Sequence, residues 1–440
     1  MSAAAAGIVG FLVMVLLMLL GLPIAAVMMG VGLVGGMIAF GDAFFVSTAS
    51  IAWGTLSENG LTAIPLFVLL GELLLRSGMA DGMYRAFAAW FGRLPGGLLH
   101  TNIGCCALFA ATSGSSVATA ATMAKVALPE MMRHHYSGRL ATATLAAGGT
   151  LGIMIPPSVV LVIYGILAEQ NIAKLFAAAI LPGLIATIGY CVAIAVYVRL
   201  FPEHGPASER ASLRQRARAF RDVWPIAAIF LVVFGGIYGG WFTPTEAAAI
   251  GAAATFLAAV LRGELTRARF LECFYDTAVT TGMIFMIFLG ADVMNSALAL
   301  SQFPAALSSF VKDLGVAPLA VVAGILVFYV ILGCVMDELS MILLTLPIFL
   351  PTIVGLDLFG LPTDQKLIWF GILVLMVVEI GLIAPPVGLN VYVINGLAKN
   401  VPIGESYRGV VPFLISDVLR TVLLLAFPAF SLWLVTVRVP

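Results

Sequence analysis

The sequence predicts an all-helical polytopic membrane protein folded as two inverted repeats, each with a re-entrant hairpin and a broken helix. Three observations predict it. The 440 residues are 62 % hydrophobic and only 10 % charged, against about 25 % charged in a soluble domain. The same interruption occurs twice within apolar stretches, as Gly152 with Pro156–Pro157 and as Gly381 with Pro385–Pro386, an offset of 229 residues. The basic residues are also distributed so that equivalent segments of the two halves start on opposite sides of the bilayer.

At about 20 residues per crossing, the chain has room for about a dozen spans or partial spans. The first charged residue is Asp42, so the basic start of a cleavable signal is missing and the amino terminus reads as mature membrane sequence. Residues 4–20 run inward and 24–40 run outward. The stretch 41–62 lacks Lys and Arg and reads as an external loop. Residues 63–75 return to Arg76, Arg85 and Arg93 inside. A hairpin at 96–132 and a broken helix at 139–167 complete a first repeat over 1–198.

The longest polar interruption, 199–223, carries Arg199, Arg210, Arg214, Arg216, Arg218 and Arg221 and reads as a cytoplasmic linker, compatible with a solvated amphipathic helix. The second repeat covers 224–440. In it 224–241 run outward, Thr243–Glu246 turn outside, and 247–261 return to Arg262, Arg267 and Arg269. A hairpin at 316–353 and a broken helix at 367–397 follow. On this path Lys174, Lys312, Lys366 and Arg438 fall outside, Lys125 and Arg420 lie within the membrane, and the rest of the 22 Lys and Arg are inside. That bias places both termini in the periplasm. Pro23 and Gly30 match Pro244 and Gly251 at an offset of 221, while Asn171 and Asn400 share the 229 offset of the proline pairs.

Each hairpin has a polar tip too close to its flanks for two full spans. The first is Thr112–Ser116 between basic Arg93 and Arg133, so it enters and leaves on the cytoplasmic side; the second is Gly333–Glu338, with flanks outside. Backbone left unpaired in hydrocarbon costs several kcal/mol per group, so such breaks are sheltered in protein or line a cavity. Paired breaks in two halves are the sequence mark of a transporter's binding site. A half-helix that ends offers carbonyls to a cation, and the one that follows offers N–H groups to an anion. Hard cations take oxygen ligands, which Ser113, Ser115, Ser116, Thr119, Thr150 and Asp337 supply. Each tip is therefore expected to meet its broken helix around one Na⁺, with substrate between the tips. Small-residue runs such as 110–122 also serve close helix packing. Glu72, Glu246, Asp292 and Glu379 read as structural pairing or capping groups, and Lys125 as a snorkelling or paired side chain.

Other classes are argued against by the chain. No lysine follows a glycine, so the phosphate-binding loop of an ATPase is absent. His100, His134, His135 and His204 form no HExxH pattern, which leaves no catalytic constellation; the reading is not an enzyme and holds no transition metal. The five cysteines, Cys105, Cys106, Cys191, Cys273 and Cys334, lie in apolar segments without ligand spacing and read as packing residues. No basic patch outside the linker supports nucleic-acid binding.

The strings GLPIAA (21–26), ATSGSSVAT (111–119), GTLGIMIPPS (149–158), TPTEAA (243–248), GCVMDELSM (333–341) and GLIAPPVG (381–388) together resemble the large membrane subunit of a tripartite ATP-independent periplasmic (TRAP) transporter. The resemblance implies an ion-transporter-superfamily fold with a scaffold and a moving transport domain. It further implies Na⁺-coupled uptake of an organic acid by an elevator motion in a bacterial inner membrane, with Na⁺ as coupling ion and no other cofactor. The implied partners are a small four-helix membrane subunit and a periplasmic substrate-binding protein, with no ATPase. Its sodium residues fall on Ser113, Gly114, Ser115, Ser116, Thr150, Gly152, Gly333, Asp337, Gly381 and Pro385. Its substrate residues fall on Ser116, Thr119, Pro156, Pro157, Glu338, Pro386 and Asn390. A stand-alone sodium/carboxylate symporter would use the same hairpins and breaks; dependence on a binding protein separates the two.

Overall fold

The computed structural model describes residues 3–206 and 212–438. Those residues are helical throughout, joined by short turns. The first half begins with α1 (Ala3–Leu19), α2 (Ile24–Phe40), α3 (Asp42–Leu56), α4 (Ala63–Arg76) and α5 (Met79–Phe91). The first hairpin is α6 (Gly97–Ser113) with α7 (Ser116–Arg133), and the first broken helix is α8 (Gly138–Met154) with α9 (Val159–Leu167). Helix α10 (Ile172–Leu200) closes the half.

The second half has its own hairpin followed by a broken helix, with four helices before them and two after. It opens with α11 (Leu213–Tyr238), α12 (Pro244–Leu261), α13 (Arg267–Leu300) and α14 (Phe303–Asp313). Its hairpin is α15 (Pro318–Gly333) with α16 (Glu338–Gly355), and its broken helix is α17 (Thr363–Ile383) with α18 (Leu389–Leu397). It ends in α19 (Ile403–Ala426) and α20 (Ala429–Arg438). Among the described residues seven helices are long and apolar enough to cross a membrane, and the α8–α9 pair makes an eighth, bent by 42°.

Polar residues set the helix starts. Ser115, Ser137, Ser158, Asn171, Thr266 and Asp337 each accept a backbone N–H at the head of α7, α8, α9, α10, α13 and α16, satisfying a donor that the helix leaves unpaired. Thr243 and Glu246 form a reciprocal capping box at α12, the capping role expected for Glu246. Two departures from the expected path stand out. The stretch 41–62 is mostly helix α3, not a loop, and within it Ser47, Thr48 and Ser50 satisfy their hydroxyls on carbonyls three residues earlier. Helix α11 starts at Leu213, within the arginine-rich stretch, so the later part of the linker is helix; its segment 207–211, with Arg210, lies outside the described residues.

Burial separates the helices by role. Every residue of α17 from Lys366 to Ile383 is buried, and so is α8 from Leu140 to Met154. The two helices that precede the breaks are thus the centre of the molecule, which matches the rule that broken backbone is tolerated inside protein. Helix α13 packs along α2 and α4, and α12 along α4, forming a framework beside the hairpins. Arg76 ties α4 to α13 through Glu272 at 2.6 Å and through Asp276.

Candidate functional site

At the first tip, α6 ends on Gly114 in the left-handed region at φ 62°, a conformation in which a Cβ is penalised. Ser115 then turns extended and caps α7. Its carbonyl accepts the backbone N–H of Thr119 at 3.1 Å and the Thr119 hydroxyl at 2.7 Å. The broken helix lies directly against it. A Cβ placed on Gly152 would sit 2.7 Å from the carbonyl carbon of Ser115 and 2.8 Å from Thr119 Oγ1, so glycine is needed for this approach. A Cβ on Gly114 would lie 3.2 Å from Pro157 O. The Pro156–Pro157 bond is cis, and Ser158 starts the second half-helix.

The second tip repeats the arrangement. Helix α15 ends at Gly333, and Asp337 caps α16 through Oδ2, which accepts from Ser340 N at 3.1 Å. A Cβ on Gly381 would fall 2.6 Å from Gly333 Cα and 3.0 Å from Gly333 O. The break follows with a cis Pro385–Pro386 bond. The N–H of Gly388 donates to Cys334 O at 3.3 Å, stitching break to tip. Glycine against tip therefore occurs twice, at positions related by the 229-residue offset.

The breaks differ in exposure. Pro156 and Pro157 are both buried, whereas Pro385, Pro386 and Val387 are exposed. At the exposed break the carbonyls of Pro386 and Val387 accept from the Tyr407 hydroxyl of α19 at 3.0 and 2.7 Å. Nothing in the local sequence points to Tyr407.

Between the tips lies a cavity of about 690 Å³. Gly114 and Ser115 line it from one tip, and Asp337 and Glu338 from the other. Its opposite wall is the framework: Pro23–Ala25, Val68–Leu75 in part, and Thr280–Ile287 in part. Thr122 and Thr280 add hydroxyls to a lining that is otherwise largely apolar, the usual character of a small-molecule site. Glu338 is 6 % exposed, and its Oε2 and the Ser340 hydroxyl have no protein partner among the described residues.

Of the expected residues, Gly114, Ser115, Asp337 and Glu338 therefore meet at one cavity. Gly152, Thr119, Gly333 and Gly381 stand at the tip–break contacts. Pro156 and Pro157 form the first break beside Gly114, and Pro385 and Pro386 the exposed one. The side chain of Ser113 lies outside the described residues. Thr150 is directed elsewhere: its hydroxyl is 2.7 Å from Ala147 O and 3.1 Å from Tyr190 Oη. Ser116 and Asn390 face each other, Asn390 Nδ2 donating to Ser116 Oγ at 2.7 Å and to Ala146 O at 3.2 Å. Of the acids expected to pair, Glu72 meets Arg76 at 3.5 Å and also lines the cavity. Asp292 accepts from Thr55 at 2.5 Å, and Glu379 accepts from Arg420 at 2.6 Å.

Apolar spans, two tip-against-break contacts and a cavity between them define a multi-pass membrane protein of the permease class. The chain matches the family described as "Tripartite ATP-independent periplasmic transporter, DctM component" over residues 11–430. It belongs to that family, as a large permease of the TRAP type. It is 33 % identical to the C4-dicarboxylate TRAP transporter large permease protein DctM of Pseudomonas aeruginosa, covering 84 % of this chain and 85 % of that one. It is 30 % identical to the ectoine/5-hydroxyectoine large permease UehC of Ruegeria pomeroyi, over 96 % and 97 % of the two chains. It is also 30 % identical to the sialic acid large permease SiaM of Vibrio cholerae, over 87 % of each. In fold it is similar to the YdaH transporter of Alcanivorax borkumensis, with a TM-score of 0.60 at 15 % identity over 89 % of each chain.

Proposed function

We propose that this large permease carries out Na⁺-coupled uptake of an organic acid handed over by a periplasmic binding protein, and that it moves by an elevator motion. The observation that carries the reading is the pair of tip–break contacts, Gly152 on Ser115 and Gly381 on Gly333, flanking one cavity with Asp337 and Glu338. Oxygen is what a hard cation requires: Ser115 O and Thr119 Oγ1 face Gly152 at the first contact and Gly333 O faces Gly381 at the second, with the Asp337 carboxylate four residues on in the same tip. Ser115 and Asp337 each head a half-helix at the cavity, where N–H groups and the positive dipole end favour a carboxylate.

In this reading α6–α10 and α15–α20 form the moving part, divided between repeats 1–198 and 224–440 with 199–223 as the cytoplasmic linker. The framework α2, α4, α12 and α13 stays fixed. The cavity lies where the two meet, so displacing the moving part would carry its contents along the framework wall. The proposed setting is a bacterial inner membrane with both termini periplasmic, and the proposed partners are a small four-helix membrane subunit and the binding protein. Of the substrates named for relatives, C4-dicarboxylates, sialic acid and ectoine carry a carboxylate and isethionate a sulfonate, in each case an anionic oxygen group of the kind the two helix starts are suited to receive.

Uptake of radiolabelled organic acids into proteoliposomes tests this reading. Accumulation is expected only with an inward Na⁺ gradient, the small subunit and the binding protein together. Accumulation without the binding protein would instead define a stand-alone symporter, and accumulation indifferent to Na⁺ would overturn sodium coupling.

A further inference from the structure

The two helices that carry the tip–break contacts, α8 and α17, are joined through the protein interior by a chain of buried polar side chains. Thr150 stands two residues before Gly152 on α8, and Glu379 two residues before Gly381 on α17, so the 229-residue offset that relates the breaks relates this pair as well. From Thr150 Oγ1 the chain passes to Tyr190 Oη on α10 at 3.1 Å, and Tyr190 donates to Asp417 Oδ2 on α19 at 2.8 Å. Arg420, one turn on, donates through Nη2 to Asp417 Oδ1 at 2.9 Å and to Glu379 Oε2 at 2.6 Å. Thr150, Tyr190, Asp417 and Glu379 are 0 % exposed and Arg420 is 4 % exposed. Four helices, two from each half, contribute to this one chain.

The chain has alternatives built into it. Thr150 has one hydroxyl proton and two acceptors in reach, Ala147 O at 2.7 Å and Tyr190 Oη. At the other end Glu379 Oε1 and the Arg420 Nε and Nη1 groups have no protein partner among the described residues. Buried polar groups left without partners are destabilising, so a shift of α8 or α17 that re-pairs one end changes what the other end prefers. Coupling of two sites needs an element with discrete arrangements that both sites bias, and the unpartnered end groups are where such arrangements would form.

We propose that Tyr190, Asp417 and Arg420 form a positioning relay through which closure of one tip–break contact favours closure of the other, so that the two cation sites fill cooperatively. This rests on the sodium reading above. None of the three lines the cavity; they act on the ends of α8 and α17.

Equilibrium binding of radiolabelled Na⁺ to the purified full-length chain tests it. Tyr190→Phe keeps the ring, whose edge packs on Phe413 at 5.4 Å between centroids, and removes only the linking hydroxyl. Arg420→Lys keeps the charge, but its side chain is one atom shorter, so its ammonium falls short of the Nη2 position from which both carboxylates are bridged. The wild type is expected to bind Na⁺ with a Hill coefficient well above 1. Each variant should bind the same number of ions with a coefficient near 1 and half-saturation raised about 5-fold, within the usual range of coupling. The double variant should add nothing further, because the relay is already cut. Additive effects, an unchanged slope in either variant, or loss of a whole site would overturn the relay. So would a wild type that binds Na⁺ without cooperativity, which leaves the sodium reading standing. A wild type that binds no Na⁺ would overturn the sodium reading and the relay together.

Discussion

Asn390, the second residue of α18, donates its amide to the hydroxyl of Ser116 at 2.7 Å, joining the second broken helix to the first hairpin. Its other amide proton reaches Ala146 O on α8 at 3.2 Å. Asn390 and Ser116 are both 0 % exposed. Hairpin one, broken helix one and broken helix two are therefore locked as one block, as a moving transport domain would need. Replacing Asn390 by Ala removes the donor to the buried Ser116 hydroxyl, at about 1–3 kcal/mol for an unsatisfied polar atom. The expected outcome is a lower apparent melting temperature in detergent and uptake reduced by about 10-fold. Asn390→Ala with wild-type stability would show that the block does not depend on this tie.

The glycine contacts make a sharper case, because controls exist within the same chain. Gly152→Ala places a Cβ 2.7 Å from the carbonyl carbon of Ser115, and Gly381→Ala one 2.6 Å from Gly333 Cα. Backbone on both sides leaves nothing flexible to yield. Each variant is expected to insert in the membrane yet lose about 10-fold or more in apparent Na⁺ affinity, read from Na⁺ activation of uptake. At Gly282 on α13, by contrast, a Cβ would meet nothing within 4 Å; Gly282→Ala should transport normally and gain a few tenths to about 1 kcal/mol in helix stability. Equal behaviour of the three would remove the close contacts from the mechanism.

Much of this site is legible in the sequence, for a physical reason. In a chain with few polar residues, Pro-Pro, Gly-Ser-Ser and Gly-x-x-x-Asp are conspicuous because apolar helix has no local use for them. Ser115 and Asp337 stand out as oxygen donors by their place at the tips; that each also caps the helix after it is seen only in the fold. What stays hidden depends on contacts across helices. Asp417 and Arg420 advertise an i,i+3 pair, but Glu379, Tyr190 and Thr150 join them only once α8, α10, α17 and α19 are packed. Tyr407 likewise reaches the carbonyls of Pro386 and Val387 only in the fold. Helix α3 is misread because the absence of Lys and Arg places 41–62 on one side of the membrane without saying whether it is loop or helix, and the hydroxyl-to-carbonyl bonds of its Ser and Thr residues leave no trace in spacing.

Asp337 combines two roles that substitutions can separate. Its carboxylate caps α16 through Ser340 N at 3.1 Å and lines the cavity. Asp337→Asn retains an acceptor for the cap and removes the charge, while Asp337→Ala removes both, with about 1 kcal/mol of capping lost. If the charge serves the cation, both variants should raise the Na⁺ concentration for half-maximal uptake by about 10-fold or more, and only the Ala variant should also melt earlier. A Na⁺ response unchanged in Asp337→Asn would leave this residue as a cap and nothing more.

The unequal exposure of the two breaks gives a direct test of motion. Val387 is 40 % exposed beside the second proline pair, while Ser158, beside the first, is 0 % exposed. The five native cysteines are free, and all but the partly exposed Cys191 are buried, so a Cys191→Ala background suits thiol labelling. In this arrangement Val387→Cys should react readily with a polar maleimide and Ser158→Cys should be protected. A carrier with two states shifts its population when a ligand prefers one of them. Na⁺ together with substrate-loaded binding protein should therefore change the Val387→Cys labelling rate by roughly 5-fold or more, the size of a typical coupling. On the elevator reading, in which the repeats would exchange environments, Ser158→Cys should change in the opposite direction. Rates that stay fixed at both positions under every condition would sink the elevator reading while leaving the family membership intact.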